Sequence, residues 1–442
     1  MLRHFLIVMG SQAAQLIVTL LGLPVLAGNL GPEDYGEVSL FLLLANGIVC
    51  LDFARPLLVR EFVGDAQEQP ACTFWLTTLN GLYLAVIAVV AGAFLFQAAT
   101  LAGLCATVAL FCCGSADFAW IAANEGVGRA TMVRNLAWAA AYAAVVAMSF
   151  LPQTGAWFCW PFAAANLLLL VVYRRWSERT ASEAKLSQAR IVLAPYWGKI
   201  RDVVVSSLAT VVTTSLDRVL LRQFASPEDF GRYSAHMDLA MKVNAVSATI
   251  GAVAYPSLSR QHQHAGPEAA AQSFVRLLSS LFVGCFFVAM TLIVASPVIV
   301  RTFLGEQYST GVNYFALFAC GAFIQLLGHL LTVWQRAQND FATPRVAYVT
   351  SAGLVVGAGL SLVRLVPMTG ALITHLCGRW ADFVMLFKEA NRLRGGLRPW
   401  TRATVAVALI MITASTAIWR SGLVAGDSKP INHVAALPQE RK

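Results

Sequence analysis

Long apolar runs separated by short polar connections form the main pattern of the chain. The runs are about 20 residues long, which is the length of α-helix needed to cross a bilayer core roughly 30 Å thick. The last run is the weakest, and the pattern is compatible with 12, 13 or 14 spans. We predict membrane-spanning helices near residues 5–28, 37–58, 73–96, 100–122, 133–151, 157–174, 203–223, 233–256, 278–302, 313–333, 346–366, 368–390 and 402–419.

The composition excludes a water-soluble protein. Only 12% of the 442 residues are charged and 58% are hydrophobic, whereas soluble domains carry about 25% charged residues. Residues 1–28 have a basic tip followed by an apolar stretch longer than the apolar region of a signal peptide. We therefore interpret them as a retained first span.

Lysine and arginine residues are distributed unevenly between the two sets of connections. If the N-terminus is cytoplasmic, 21 of them lie in or beside the cytoplasmic connections, and only Arg222, Arg232, Arg301 and Arg364 lie on the opposite side. Cytoplasmic loops are enriched in these residues, so the sequence predicts a multi-pass membrane protein with a cytoplasmic N-terminus. The net charge of +9 is explained by this asymmetry and does not indicate a nucleic-acid partner.

The sequence shows none of the usual signatures of a metal site or an enzyme. The nine cysteines lie almost all within apolar runs, without CxxC or Cys/His spacing, and are interpreted as small buried apolar residues. We find no nucleophile–base constellation and no phosphate-binding loop, and no outer connection exceeds roughly a dozen residues. We therefore expect a protein that is not an enzyme and that requires no metal or cofactor.

Two pairs of similar segments indicate an internal repeat. Pro-Glu-Asp-Tyr-Gly at 32–36 is matched by Pro-Glu-Asp-Phe-Gly at 227–231, and the Pro56–Arg60 segment resembles the Pro256–Arg260 segment. Both pairs occupy matching places in two sets of six spans, so the halves share one orientation, as in transporters with parallel repeats. We predict an N-terminal lobe at 1–175, a cytoplasmic linker with interfacial character at 176–202, a C-terminal lobe at 203–390, and a basic loop, thirteenth helix and polar tail at 391–442.

Four short motifs, taken together with their order and their topological places in the chain, resemble the Wzx-like polysaccharide-biosynthesis flippases of the MOP (MATE-related) exporter superfamily. One departure is Ala54, where the family often has glycine, and a thirteenth span is also unusual for the family. The resemblance covers residues 1 to about 390, and the motifs are Pro-Glu-Asp-Tyr-Gly at 32–36, Leu-Asp-Phe-Ala at 51–54, Leu-Asp-Arg-Val at 216–219 and Leu-Gly-Glu-Gln-Tyr at 304–308.

The resemblance implies an all-α integral membrane fold in which two six-helix lobes surround a central cavity. It also implies transfer of an undecaprenyl-diphosphate-linked oligosaccharide from the cytoplasmic to the outer leaflet of a bacterial inner membrane. A polysaccharide polymerase or a chain-length regulator is a candidate partner of such a protein, beside the lipid bilayer itself.

Charged residues inside the predicted spans are the candidate site residues. A charged residue in the membrane costs at least about 2.5–3.5 kcal/mol, so its presence requires a partner or a function, and a diphosphate headgroup requires cations in a hydrated cavity. One interpretation is that these charges only pair with each other to hold helices together, as spacing allows for Arg379 with Asp382 and for Lys242 with Asp238. The other assigns substrate binding to Arg379, Lys242, Arg218 and Arg55, and ion coupling to Asp382, Asp238 and Asp217.

We predict a lipid-linked oligosaccharide flippase that works by alternating access. One alternative is a MATE-like antiporter of drugs or small cations, which would need an acidic excess in its cavity, whereas cations match or exceed acids here. The other alternative, a membrane glycan polymerase or ligase, would need a charged outer catalytic loop.

Overall fold

A computed structural model describes residues 2–52, 70–96, 98–121, 127–151, 157–177, 194–242, 244–309 and 312–393. Within these ranges the chain is almost entirely helical and has no β-strand. Arg55, most of the predicted linker and the predicted span at 402–419 lie outside the described residues. Thirteen α-helices are described: α1 Leu2–Cys50, α2 Pro70–Leu95, α3 Ala98–Ile121, α4 Val127–Met148, α5 Trp160–Ser177, α6 Trp197–Phe224, α7 Pro227–Met241, α8 Asn244–His264, α9 Gly266–Val294, α10 Ser296–Phe303, α11 Val312–Ala337, α12 Ala342–Leu365 and α13 Pro367–Leu393.

Helix α1 consists of two helical segments that meet at Gly31. The backbone of Gly31 has φ 72° and ψ 174°, a conformation that glycine adopts much more readily than other residues. Pro32 follows directly and starts the second segment, since proline suits the first position of a helix. The two segments correspond to the spans predicted at 5–28 and 37–58, and the second is described as helix as far as Cys50.

Two predicted spans are each divided into two helices. The span at 233–256 is divided between α7, which ends at Met241, and α8, which begins at Asn244. The span at 278–302 is divided between α9 and α10, where Pro297 lies in the first turn of α10. Proline has no backbone N–H and clashes with the preceding turn, which explains the second break. The remaining predicted spans that lie in the described residues coincide with helices to within about six residues.

Seven of the described helices are long and apolar enough to cross a membrane. The seven are α1, α3, α4, α6, α9, α11 and α12. Helix α7 has only 15 residues, and α13 carries Arg379, Asp382 and Lys388, so neither provides a long uncharged window. Exposed valine and leucine side chains cover the outer faces of the helices, which is the arrangement expected for helices in contact with lipid.

Helices α1–α5 form the N-terminal half of the described structure, and α6–α13 form the C-terminal half. In the N-terminal half α1 packs against α4, and α3 packs against α2 and α5. In the C-terminal half α12 packs against α6 and α13, while α11 packs against α7, α8, α9 and α13. The two halves meet chiefly where α1 packs against α7, and one cluster of buried apolar residues extends across this contact. These two helices carry the repeated motifs.

Candidate functional site

The two copies of the Pro-Glu-Asp-aromatic-Gly motif begin the helical segments that join the two halves. In the second copy, Ser226 caps α7 because its hydroxyl oxygen accepts a hydrogen bond from the backbone N–H of Asp229, at 3.1 Å. Pro227 begins the helix, and Glu228 and Asp229 lie in its first turn, where negative charge is favourable. The motif is therefore a helix start. We use the term motif end for the end of the bundle formed by residues 27–37, 222–231 and 304–309.

The glycines of the two motif copies allow the helices to cross at very short distance. A Cβ atom added to Gly231 would overlap the carbonyl oxygen of Pro32, and one added to Gly36 would meet the ring of Phe230 at 2.7 Å and the Cα of Gly231 at 3.2 Å. The first motif copy therefore lies directly on the second. Only glycine permits this approach, since any other residue would place a side chain at the crossing.

An ion pair lies just beyond this crossing and is shared by the two halves. Arg218 on α6 is only 2% exposed, and its Nη2 donates to Oδ1 of Asp238 on α7 at 2.7 Å. Two hydroxyl groups of α1 complete the arrangement: Ser39 accepts from Nη1 of Arg218 at 2.8 Å and donates to Oδ2 of Asp238 at 2.7 Å, and Tyr35 donates to the same oxygen at 2.9 Å. We call these four residues the inter-half latch.

Asp217 faces a different direction from its neighbour Arg218, because successive residues of a helix project about 100° apart. Its Oδ2 accepts from the hydroxyl of Tyr233 at 2.8 Å and lies 3.1 Å from Nδ1 of His375. His375 in turn packs edge-on against Phe318. Asp217 thus joins α6, α7 and α13 within the C-terminal half, and its contacts stay inside that half in the described part of the chain.

Arg379 and Asp382 lie deeper in the C-terminal half, on α13. Arg379 is 2% exposed and Asp382 6% exposed, and they attract each other electrostatically, as do Arg379 and Asp217. Nε of Arg379 and Oδ1 of Asp382 have no hydrogen-bond partner among the described residues. Buried polar groups are normally hydrogen-bonded, so these two atoms indicate a place where a further group, such as water or an ion, can bind.

Lys242 lies at the break between α7 and α8, next to the contact of the two halves. The helix-face spacing allowed Lys242 to pair with Asp238, but Asp238 makes its ion pair with Arg218. Lys242 makes no ion pair within 4 Å in the described part of the chain; its ammonium lies 5.6 Å from the centre of the Tyr142 ring, on α4 of the N-terminal half. Such a cation–π contact stabilises a charge only weakly, and the Lys242 side chain is only partly buried.

Further contacts between the halves also lie at the motif end. Arg222 donates two hydrogen bonds to the carboxylate of Glu37, at 2.8 and 3.0 Å, and a third to the carbonyl oxygen of Leu95 at the C-terminus of α2. Gln307 and Tyr308 both donate to the carbonyl oxygen of Ala27. The described contacts therefore close the molecule at this end.

The structure brings some of the predicted site residues together and separates others. Arg218 and Asp238 form one group, with Lys242 at its edge, while Arg379, Asp382 and Asp217 form a second group within the C-terminal half. Tyr35, Ser39 and Tyr142 were missed, because hydroxyl groups and aromatic rings in apolar helices give no charge signal. The difference between Tyr35 and Phe230 in the two motif copies was the available hint.

Comparisons with known proteins agree on one fold. A family model described as polysaccharide biosynthesis protein matches residues 25–313. No curated protein sequence gives a significant match. Among solved structures, the lipid II flippase MurJ in an inward closed conformation has a TM-score of 0.64 at 12% identity, covering 94% of this chain and 92% of MurJ.

Transporters of the MATE type share the same fold. A MATE protein solved in complex with MaL6 has a TM-score of 0.59 at 13% identity, covering 88% of this chain and 98% of the other. A MOP superfamily transporter from Pyrococcus furiosus, described by a reversed polarity of its binding pocket, has a TM-score of 0.59 at 12% identity and covers 88% of this chain and 93% of its own. At these identities the likeness concerns the fold alone.

Proposed function

Because this chain belongs to the polysaccharide biosynthesis protein family, we propose that it moves an undecaprenyl-diphosphate-linked oligosaccharide across the cytoplasmic membrane by alternating access. The N-terminal lobe of this mechanism comprises residues 1–175 and the C-terminal lobe residues 203–390. The MurJ-like and MATE-like fold supports a transporter with two such lobes.

The observation that carries this proposal is the position of Lys242 and the set of groups around its side chain. It is a cation beside the contact of the two halves, and its ammonium lies 5.6 Å from the centre of the Tyr142 ring. Asp238 attracts it electrostatically, but Asp238 makes its ion pair with Arg218, and Lys242 makes no ion pair within 4 Å in the described part of the chain. A bare diphosphate in an apolar environment is prohibitively costly, so an anionic headgroup needs such a charge. Lys242 provides a first contact for the diphosphate, and Arg218 is near enough to act on Lys242 electrostatically.

The remaining predicted cations have different places in this proposal. Arg379 is buried in the C-terminal half, with Nε unpartnered among the described residues, and reaches a phosphate only if the half rearranges. Arg55 lies outside the described residues, and its role as a cation at the cytoplasmic mouth rests on the sequence. Asp382 is the candidate for ion coupling, since its Oδ1 is buried and has no hydrogen-bond partner among the described residues.

Export of small cations is the second candidate function, and the MATE-like fold is what favours it. A cation exporter needs carboxylates that are free to bind its substrate. In the described structure Asp238 is held by Arg218, Tyr35 and Ser39, and Asp217 by Tyr233 and His375. The available charge next to the contact of the halves is positive, which favours an anionic substrate.

Substitution in cells tests the proposal. Lys242→Ala is expected to reduce export of the surface glycan about tenfold at unchanged membrane abundance, whereas Lys242→Arg retains most of it because the charge remains. Lys388→Ala removes an exposed lysine near the end of α13 and serves as the matched control. Full export by Lys242→Ala would contradict the assignment of this residue.

A further inference from the structure

The inter-half latch couples one charge pair of the C-terminal half to two hydroxyl groups of the N-terminal half. Each of the three guanidinium nitrogens of Arg218 has a partner: Nε contacts Sδ of Met237 at 3.2 Å, Nη1 contacts Ser39, and Nη2 contacts Asp238. Because Arg218 is also only 2% exposed, a ligand cannot reach it in this state. Separation of the halves at the motif end would remove Ser39 and Tyr35 from the pair.

The two motif copies have different roles in this arrangement. Tyr35 of the first copy uses its hydroxyl to hold Asp238, whereas Phe230 of the second copy has no hydroxyl and packs its ring against Gly36. Both copies thus begin a helix with proline and place a glycine at the crossing, but only the first copy makes a polar contact with Asp238. The hydroxyl of Tyr35 therefore provides a polar contact between the halves that Phe230 cannot make.

The depth of the charges along α6 and α7 gives the order in which a ligand would meet them. Lys242 is four residues beyond Asp238, or about 6 Å further from the motif end at 1.5 Å per residue. A ligand that approaches from the opposite end reaches Lys242 first. Arg218 and Asp238 lie between that lysine and the closed glycine crossing.

We propose that Tyr35, Ser39, Arg218 and Asp238 form a displaceable latch, which keeps the motif end closed while Arg218 is bound to Asp238 and releases Arg218 to a phosphate group when the motif end opens. This inference rests on the proposed function for the identity of the phosphate, that of a polyprenyl diphosphate. The latch itself is defined by the contacts between the halves. A ligand that binds only the opened state shifts the equilibrium toward it.

Tyr35→Phe is the most direct test, because it removes one hydrogen bond to Asp238 and keeps every charge. Hydrogen bonds to charged groups are strong enough that this loss should raise the ratio of open to closed molecules about tenfold. Tyr173→Phe is the matched control, since the Tyr173 hydroxyl donates to the carbonyl oxygen of Ala130, a residue of the same half.

The opening is measured as a distance between spin labels at Asp34→Cys and Gln223→Cys, two exposed positions on opposite halves of the motif end. The labels are placed in a chain whose nine native cysteines are replaced. The labelled chain with an unsubstituted latch and the Tyr173→Phe variant are each expected to give one short distance between the labels. The Tyr35→Phe variant is expected to give an additional, longer distance. An identical distance distribution in all three would overturn the latch.

Binding of undecaprenyl diphosphate in nanodiscs provides the second readout. Since the fraction of binding-competent molecules sets the apparent affinity, Tyr35→Phe should bind this lipid up to tenfold more tightly than Tyr173→Phe. A longer distance without tighter binding would overturn the release of Arg218 to phosphate. If no variant binds the lipid, the proposed cargo is wrong, whereas the spin-label distances still decide the latch.

Discussion

Gly231 lies directly against the carbonyl oxygen of Pro32, so the second copy of the repeated motif touches the backbone of the first. The sequence repeat is therefore also a contact in space. The two similar helix starts meet at their glycines and give the two halves a common crossing point. The inter-half latch and the Arg222–Glu37 ion pair also join α1 to the C-terminal half.

Replacement of Gly231 by alanine should disrupt the crossing. The added Cβ would overlap backbone, which cannot move aside as a side chain can, so we expect a cost of about 1–3 kcal/mol or more and loss of glycan export. Thermal unfolding in detergent and export in cells are the measurements. Gly353→Ala is the matched control, because a Cβ there meets no atom within 4 Å. Normal stability and export in Gly231→Ala would contradict the close contact.

The two arginines of α6 that join the halves should differ in importance. Arg222 is 29% exposed and its partner Glu37 43% exposed, and such exposed pairs contribute only about 0.2–1 kcal/mol. Arg218 is buried, and its removal leaves Asp238 without its cation. We expect Arg222→Ala to change the closed population at the motif end less than fivefold, and Arg218→Ala to change it much more. Spin-label distances compare the two, and a larger effect at Arg222 would contradict this ranking.

The helices could be predicted from the sequence because their apolar runs match the bilayer thickness, as at α11 and α12. The pairing between charged residues could not be predicted from the sequence. Asp238 and Lys242 lie four residues apart, which suggests a pair, but α7 ends at Met241 and Asp238 instead meets Arg218 from another helix. The packing of the whole bundle decides which helices face each other. The spacing of residues along one helix contains no information about that packing.

Substitutions of Arg379 and Asp382 should show whether these two buried charges stabilise each other. Removing one partner of a buried charge pair costs about 3–5 kcal/mol, so Arg379→Ala is expected to reduce membrane abundance and thermal stability. The double variant Arg379→Ala/Asp382→Asn should recover most of that stability, because neither charge is left alone. Equal stability of the single and double variants would show that the two charges do not interact.

Asp382→Asn alone tests ion coupling. If this carboxylate carries a coupling proton, its amide variant should flip its substrate at a rate that no longer responds to an imposed pH gradient, since asparagine cannot be protonated in its place. The wild-type rate should respond. Asp340→Asn is the control outside the spans, since Asp340 precedes α12 and accepts a hydrogen bond from the backbone N–H of Ala342. A gradient response that persists in Asp382→Asn would exclude this residue as the coupling site.

The orientation predicted from the distribution of basic residues places the motif end outside the cytoplasm. A single cysteine at Asp34, in a chain without its native cysteines, should react with a membrane-impermeant maleimide added to intact cells. A reporter fused after Lys442 should also lie outside if the chain has thirteen spans. Labelling of Asp34→Cys only after cells are broken would invert the orientation.

Reconstitution tests the central claim most directly. Purified protein in liposomes should move a fluorescent undecaprenyl-diphosphate-linked oligosaccharide between leaflets, measured as the fraction that an impermeant reductant quenches over time. We predict rapid movement with the wild-type protein, about tenfold slower movement with Lys242→Ala, and an unchanged rate with Lys388→Ala. Equal movement in protein-free liposomes and in all three protein samples would contradict the account.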